Sequence, residues 1–303
     1  MKSDPSLDLI GRLPGQTGPL AVQGEYAYLT VPKGVRVADI SNPAAPKVIG
    51  MCDELARPMG MDLASGYAYV IRRGGGLSVL GISDPKSPRV LGTCDKPANP
   101  WDVAVDGDYA FVTAGYGLSV LNISSAESPK FVGSWDLVGS GDPGTSGITI
   151  AGKLAYVSAD YSGLYIMDIT NPKNPKKVGL FEGPGNVTAS AVMGNYAYVA
   201  DYSGGMVVVD VSDPKAPKQV AEYGDCCVGS VAVSGNYVFV AAGTLDLLDV
   251  SNPAAPRLIE SYEEPEEFEA WQVIVEGDCV YARGSGEVGL FILRLTSHPN
   301  RQH

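Results

Sequence analysis

Gly194-Asn195-Tyr196-Ala197-Tyr198-Val199, followed by Asp210-Val211-Ser212-Asp213-Pro214-Lys215-Ala216-Pro217, is the plainest copy of a pattern that recurs with a period near 42 residues along a chain of 303. Aligned on the first aromatic of the hairpin, the column reads Tyr26, Tyr67, Tyr109, Leu154, Tyr196, Tyr237 and Cys279, at intervals of 41, 42, 45, 42, 41 and 42. Aligned on the Asp before Val-Ser, it reads Asp39, Gly81, Asn122, Asp168, Asp210, Asp249 and Arg294. Two independent anchors return the same seven units, and a repeat of this period limits the architecture before any other argument.

Each unit reads as four short strands. The first resembles Trp101-Asp102-Val103-Ala104-Val105, and a turn such as Gly107-Asp108 or Gly194-Asn195 follows, with residues that suit positive φ. An aromatic strand of the Tyr-Ala-Tyr-Val type comes next. A Gly-rich turn leads to a third strand, as in Met206-Val207-Val208-Val209-Asp210-Val211. Ser-Asn-Pro-Ala-Ala-Pro then breaks the ladder, because Pro has no backbone donor, and Lys47-Val48-Ile49-Gly50 exemplifies the fourth strand. Helical periodicity is nowhere sustained. Such units suggest an all-β, seven-bladed β-propeller with four antiparallel strands per blade.

The seventh unit stops after its third strand, Leu290-Phe291-Ile292-Leu293-Arg294-Leu295, and the chain begins with an orphan fourth strand over residues 7–13. The N-terminal strand is therefore expected to join the last blade and close the ring, which removes the open edge. The expected organisation is a single domain over residues 1–303, with residues 297–303 as a tail.

Leu-x-Val-x-Asp-Ile/Val-Ser-Asn/Asp-Pro-x-x-Pro, preceded by Tyr-Ala-Tyr-Val-Ala, resembles the LVIVD-repeat family of β-propellers. Gly205-Met206-Val207-Val208-Val209-Asp210-Val211-Ser212-Asp213-Pro214 is its closest instance. The likeness spans nearly the whole chain and concerns the fold. It implies a secreted or surface-associated setting and says little of activity. Ser124-Ser125-Ala126-Glu127-Ser128-Pro129 departs from the pattern by lacking the first Pro.

Composition narrows the function classes. The chain carries 22 basic and 34 acidic residues, a formal charge of −12, which opposes nucleic acid or an anionic membrane as the main partner. No apolar run is long enough to span a bilayer, and no signal-peptide pattern follows Met1-Lys2-Ser3-Asp4-Pro5. Five cysteines, Cys52, Cys94, Cys226, Cys227 and Cys279, form no disulfide framework. The only histidines, His298 and His303, lie in the tail, which argues against His-based zinc sites, Ser-His-Asp triads and Cys-His dyads.

Candidate functional residues come from what does not repeat. The lead-in to the innermost strand holds Gly18, Met59, Trp101, Ser146, Thr188, Gly229 and Trp271, and the next column includes Asp102 and Gln272. The turns expected on the same face hold Arg72 and Arg73, Tyr116, Asp160 and Tyr161, Asp201 and Tyr202, and Arg283. Trp101, Trp271, Tyr116, Met59 and Gln272 are the candidate ligand contacts, with the tryptophans offering stacking walls or, equally, blade packing. Asp102, Asp160 and Asp201 would offer oxygen ligands to Ca²⁺ or Mg²⁺, or simply close turns; no cofactor is expected outright. Residues 263–269 form an acidic loop leading to Trp271, and residues 139–147 a Gly-rich loop without the Gly-Lys-Ser/Thr of a phosphate loop.

Two readings follow. The first is a monomeric, non-enzymatic scaffold that binds a small molecule, carbohydrate or protein segment at an acidic and aromatic channel mouth. The second is a lyase, hydrolase or cyclase working without histidine, through Asp102, Asp160, Asp201, Tyr161, Tyr202, Arg72 and Arg283 or a divalent metal.

Overall fold

The computed structural model describes residues 4–15, 17–115, 117–136, 144–183, 185–263, 268–284 and 289–297. Its 28 strands form seven antiparallel sheets of four, with no helix among the described residues. Six sheets use consecutive strands: blades 1 to 6 span residues 20–52, 58–94, 100–136, 148–181, 187–223 and 230–262. Blade 7 takes three strands from residues 272–297 and its fourth, Pro5–Leu13, from the start of the chain. Pro5 pairs with Ser297 and Leu13 with Leu290, so the expected closure is present.

The first strands of successive blades neighbour one another all the way round, from blade 1 to blade 7 and back. They therefore line the axis of the ring. The apolar core is divided to match: seven clusters of buried side chains each lie between two adjacent blades. That is why the second and third strands read as near-continuous apolar runs. Both of their faces are covered, so strict alternation is lost.

In the four repeats that carry it, the Asp at the end of the third strand has a local task. Asp39, Asp168, Asp210 and Asp249 accept the backbone N–H two residues on, at 2.8–2.9 Å, and so fix the turn out of the third strand. The fourth strand carries a Gly at 11, 50, 92, 133 and 179 for a packing reason. A Cβ on Gly50 would lie 2.1 Å from the Pro85 carbonyl oxygen of the next blade, and one on Gly179 1.9 Å from that of Pro214. At these five junctions the loop between the third and fourth strands of one blade seats against the fourth strand of the blade before it.

The closing strand is also tied to blade 6. Leu7 N–H donates to Glu260 Oε2 at 2.7 Å. Arg257 grips both oxygens of Asp4 at 2.8 Å and also reaches Asp249 at 3.2 Å.

Candidate functional site

Backbone bonds bring the lead-ins to the first strands and the turns after the second strands together as one rim. Arg57 N–H donates to Pro32 O at 3.2 Å, Thr145 to Gly115 at 3.0 Å, Val187 to Asp160 at 2.9 Å, and Cys227 to Tyr202 at 2.7 Å. Each bond crosses from one blade's turn to the next blade's lead-in.

Just inside the rim, polar side chains of the first strands reach the next blade's free backbone edge. Asp62 Oδ2 accepts Val105 N–H at 2.7 Å, and Asp102 Oδ2 accepts Ile148 N–H at 3.0 Å. Ser146 donates to Val187 O at 2.9 Å and Thr149 to Ser190 O at 2.6 Å. Thr188 donates to Val228 O at 3.3 Å, and Ser230 Oγ accepts Val273 N–H at 3.4 Å. Gln272 takes Leu20 N–H at 3.0 Å and donates back to Leu20 O at 3.1 Å. An innermost strand has ladder partners on one side only, so these clasps satisfy groups otherwise left without protein partners. Asp102 and Gln272 are thus engaged in holding the ring. Burial pushes the Asp102 carboxyl up to about 7, against two backbone N–H bonds that favour its ionised form. Asp62 is raised by burial as well.

Between blades 1 and 2 the corresponding positions are Gly18 and Pro19, which have no side chain able to make such a clasp. There a cavity of about 400 Å³ opens, lined by Thr17, Gly18, Pro19, Thr30, Val31, Pro32, Arg57, Pro58, Met59 and Arg73. A second cavity of about 380 Å³ adjoins it, lined by Met59, Arg73, Gly74, Asn99, Pro100, Trp101, Gly115 and Gly144. Met59 and Arg73 stand in both walls. Two of the predicted contacts, Met59 and Trp101, are therefore together.

The aromatics of the rim are open to solvent: Trp101 is 50% exposed, Tyr161 64% and Tyr202 43%. Trp271 is half-buried and belongs elsewhere than Trp101. It stacks on Tyr202 with centroids 6.3 Å apart and planes 24° apart. Gly229 admits it, since a Cβ there would sit 3.2 Å from the indole ring.

The near-copies Asp160-Tyr161-Ser162-Gly163 and Asp201-Tyr202-Ser203-Gly204 fold differently. Asp201 is fully buried and its Oδ1 accepts Ser203 and Gly204 N–H at 2.8 and 2.9 Å. Asp160 takes φ of +33°, and burial raises its carboxyl while a Ser146 hydrogen bond opposes. Among the described residues no three His, Cys, Asp or Glu side chains gather as a metal ion requires, so Asp102, Asp160 and Asp201 do not converge. Arg72 turns to Asp95, 3.5 Å away. Arg283 is largely buried, with burial lowering its pKa. Cys226 and Cys227 hold free thiols with sulfurs 2.9 Å apart. Tyr116, residues 139–143 of the Gly-rich loop and residues 264–267 of the acidic run lie outside the described residues.

The LVIVD repeat family model matches residues 14–54, 60–96, 98–137, 144–182, 184–225 and 227–264. The chain belongs to the LVIVD-repeat family. The unmatched seventh unit of this LVIVD-repeat propeller is the one whose fourth strand comes from the other end of the chain. No curated protein matches it. Solved propellers do, at identities that speak for the fold alone. The Myceliophteria thermophila Cps50 (Swd1) propeller domain is 12% identical with a TM-score of 0.76, covering 96% of this chain and 100% of that one. The WD40 propeller domain of Doa1 is 11% identical at TM-score 0.74, covering 97% and 98%. The computationally designed Ika8 protein is 12% identical at TM-score 0.66, covering 95% and 99%.

Proposed function

We propose that this LVIVD-repeat propeller is a binding scaffold that takes a small organic ligand at the rim between blades 1 and 3. The observation that carries the reading is Trp101: a large aromatic half open to solvent over a cavity of about 380 Å³. Cavities of about 300–1,000 Å³ with mainly apolar walls and few polar groups are the usual form of a small-molecule site. Met59 and Pro100 supply the apolar wall, and Asn99 the directional polar group. The binding reading gains further support from the side chains an enzyme would need. Asp102 and Gln272 clasp neighbouring blades and Asp201 closes its own turn, whereas acid–base catalysis needs groups free to reach a reacting atom.

The test is a fragment screen by ligand-observed NMR on the full chain. Binders of the wild type should compete with one another and be lost from Trp101→Ala, with unfolding midpoints unchanged. A screen without binders, or binders indifferent to Trp101→Ala, would sink the reading.

A further inference from the structure

Arg73 N–H donates to Arg57 O at 2.9 Å, so two arginines sit side by side where blades 1, 2 and 3 meet. Both line the cavity between blades 1 and 2, and Arg73 also lines the one beneath Trp101. Both are exposed, and neither makes an ion pair with any described residue. In a chain with 34 acidic residues against 22 basic ones, two exposed arginines on one cavity wall, without an ion pair to a described residue, are a departure from the general charge pattern.

Backbone strain marks the same place. Only five non-glycine residues of the described structure take positive φ, and Arg57 at +51° and Asn99 at +50° line these two cavities. Left-handed backbone costs an arginine about 1–3 kcal/mol and persists where surroundings enforce it, most often at ligand sites. The Thr17 hydroxyl is buried in the cavity wall without a hydrogen-bond partner among the described residues.

Resting on the small-ligand reading above, we propose that Arg57 and Arg73 form an oxyanion subsite for a carboxylate or phosphate group, while Trp101 and Met59 receive the ring or apolar body of the same molecule. The guanidinium fork matches both oxyanions in geometry and charge. The shared wall of Met59 and Arg73 makes one molecule across both cavities the natural occupant. The ligand class is thus a ring-bearing organic anion.

The experiment is isothermal titration calorimetry on the full chain at low salt, where screening is weakest. Three probes share one ring: 2-naphthoate, 2-naphthyl phosphate and the neutral 2-naphthylmethanol. At least one anion should bind tenfold or more tighter than the neutral probe, and the tighter of the two names the head group. Arg73→Gln should cut that preference to less than threefold. Arg57→Asn, a residue that tolerates the left-handed backbone, should do the same, and Arg89→Gln on an outer strand should leave it intact. Arg73 lies in an exposed turn, so its variant reports even where Arg57→Asn fails to fold. A neutral probe that binds as well as the anions, or a preference that survives Arg73→Gln, overturns the subsite. Silence from all three probes also overturns it, and leaves the Trp101 reading to its own screen.

Discussion

Gln272 holds Leu20 by both of its backbone groups, accepting the N–H at 3.0 Å and donating to the carbonyl at 3.1 Å across the junction of blades 7 and 1. The same side-chain amide thus closes at the rim what the Pro5–Leu13 strand closes at the periphery.

Gln272→Leu removes both bonds and keeps the bulk. Leaving two partly buried backbone groups without partners costs about 1–3 kcal/mol each at most, so a loss of about 2 kcal/mol is expected in urea unfolding. An unchanged midpoint would mean that water replaces the clasp.

Deleting residues 1–13 should do more. It bares the edge of Leu290–Ser297, removes buried Leu7, and takes the Leu7 N–H from Glu260 and Asp4 from Arg257. Exposed strand edges recruit other chains. Size-exclusion chromatography with light scattering should show multimers or aggregate; a stable monomer would contradict the latch.

Gly179→Ala would push a methyl group to 1.9 Å from the Pro214 carbonyl oxygen. Backbone lies on both sides, so neither partner can swing away, and a cost of about 1–3 kcal/mol or more follows. The expected readout is a lowered urea midpoint for a chain that remains folded.

Two groups of carboxylates give opposite pH dependence. Asp39, Asp168 and Asp210 are held below the usual 3.8 chiefly by a Ser or Thr hydroxyl, and Asp249 chiefly by the Ser251 N–H. Their contribution is present above that pH and lost as pH falls through the lower folded value. Asp102 runs the other way: with its carboxyl pushed from 3.8 up to about 7, its contribution is full below 3.8 and lost as pH rises to about 7. Unfolding free energy of the wild type minus that of Asp102→Asn should therefore fall between about pH 4 and 7 and be flat above. A difference independent of pH would show that the two N–H bonds offset burial in full, and one that rises with pH that they outweigh it.

The architecture was legible because the repeat states it seven times, and the missing strand of the last unit matched the spare strand of the first. The rim was legible too, and Met59 with Trp101 proved to share a cavity. What the side chains do there was less so. Asp102 and Gln272 look like a site because they are polar at a channel mouth, yet the free edge they satisfy belongs to the next blade, 46 residues on for Asp102 and 252 residues back for Gln272. Asp201 and Asp160 have the same neighbours in sequence but different turns. Arg57 owes its interest to left-handed backbone that its residue type does not announce. A further signal lies in the Gly that five of the seven fourth strands carry, which marks the contact between blades.

The pairing of Pro5–Leu13 with Leu290–Ser297 also sets an order of events during synthesis. Ser6 meets Thr296 across 290 residues, so of the propeller's strands the one made first finds its partner last. Contacts of such separation are the slow ones, and an unpaired strand is exposed to misassembly in the meantime. A circular permutant, with the old ends joined and new ones opened at the Gly194-Asn195 turn, would make blade 7 contiguous. It would move the waiting strand to blade 5 and show whether the seam or the ring itself governs how fast the protein matures.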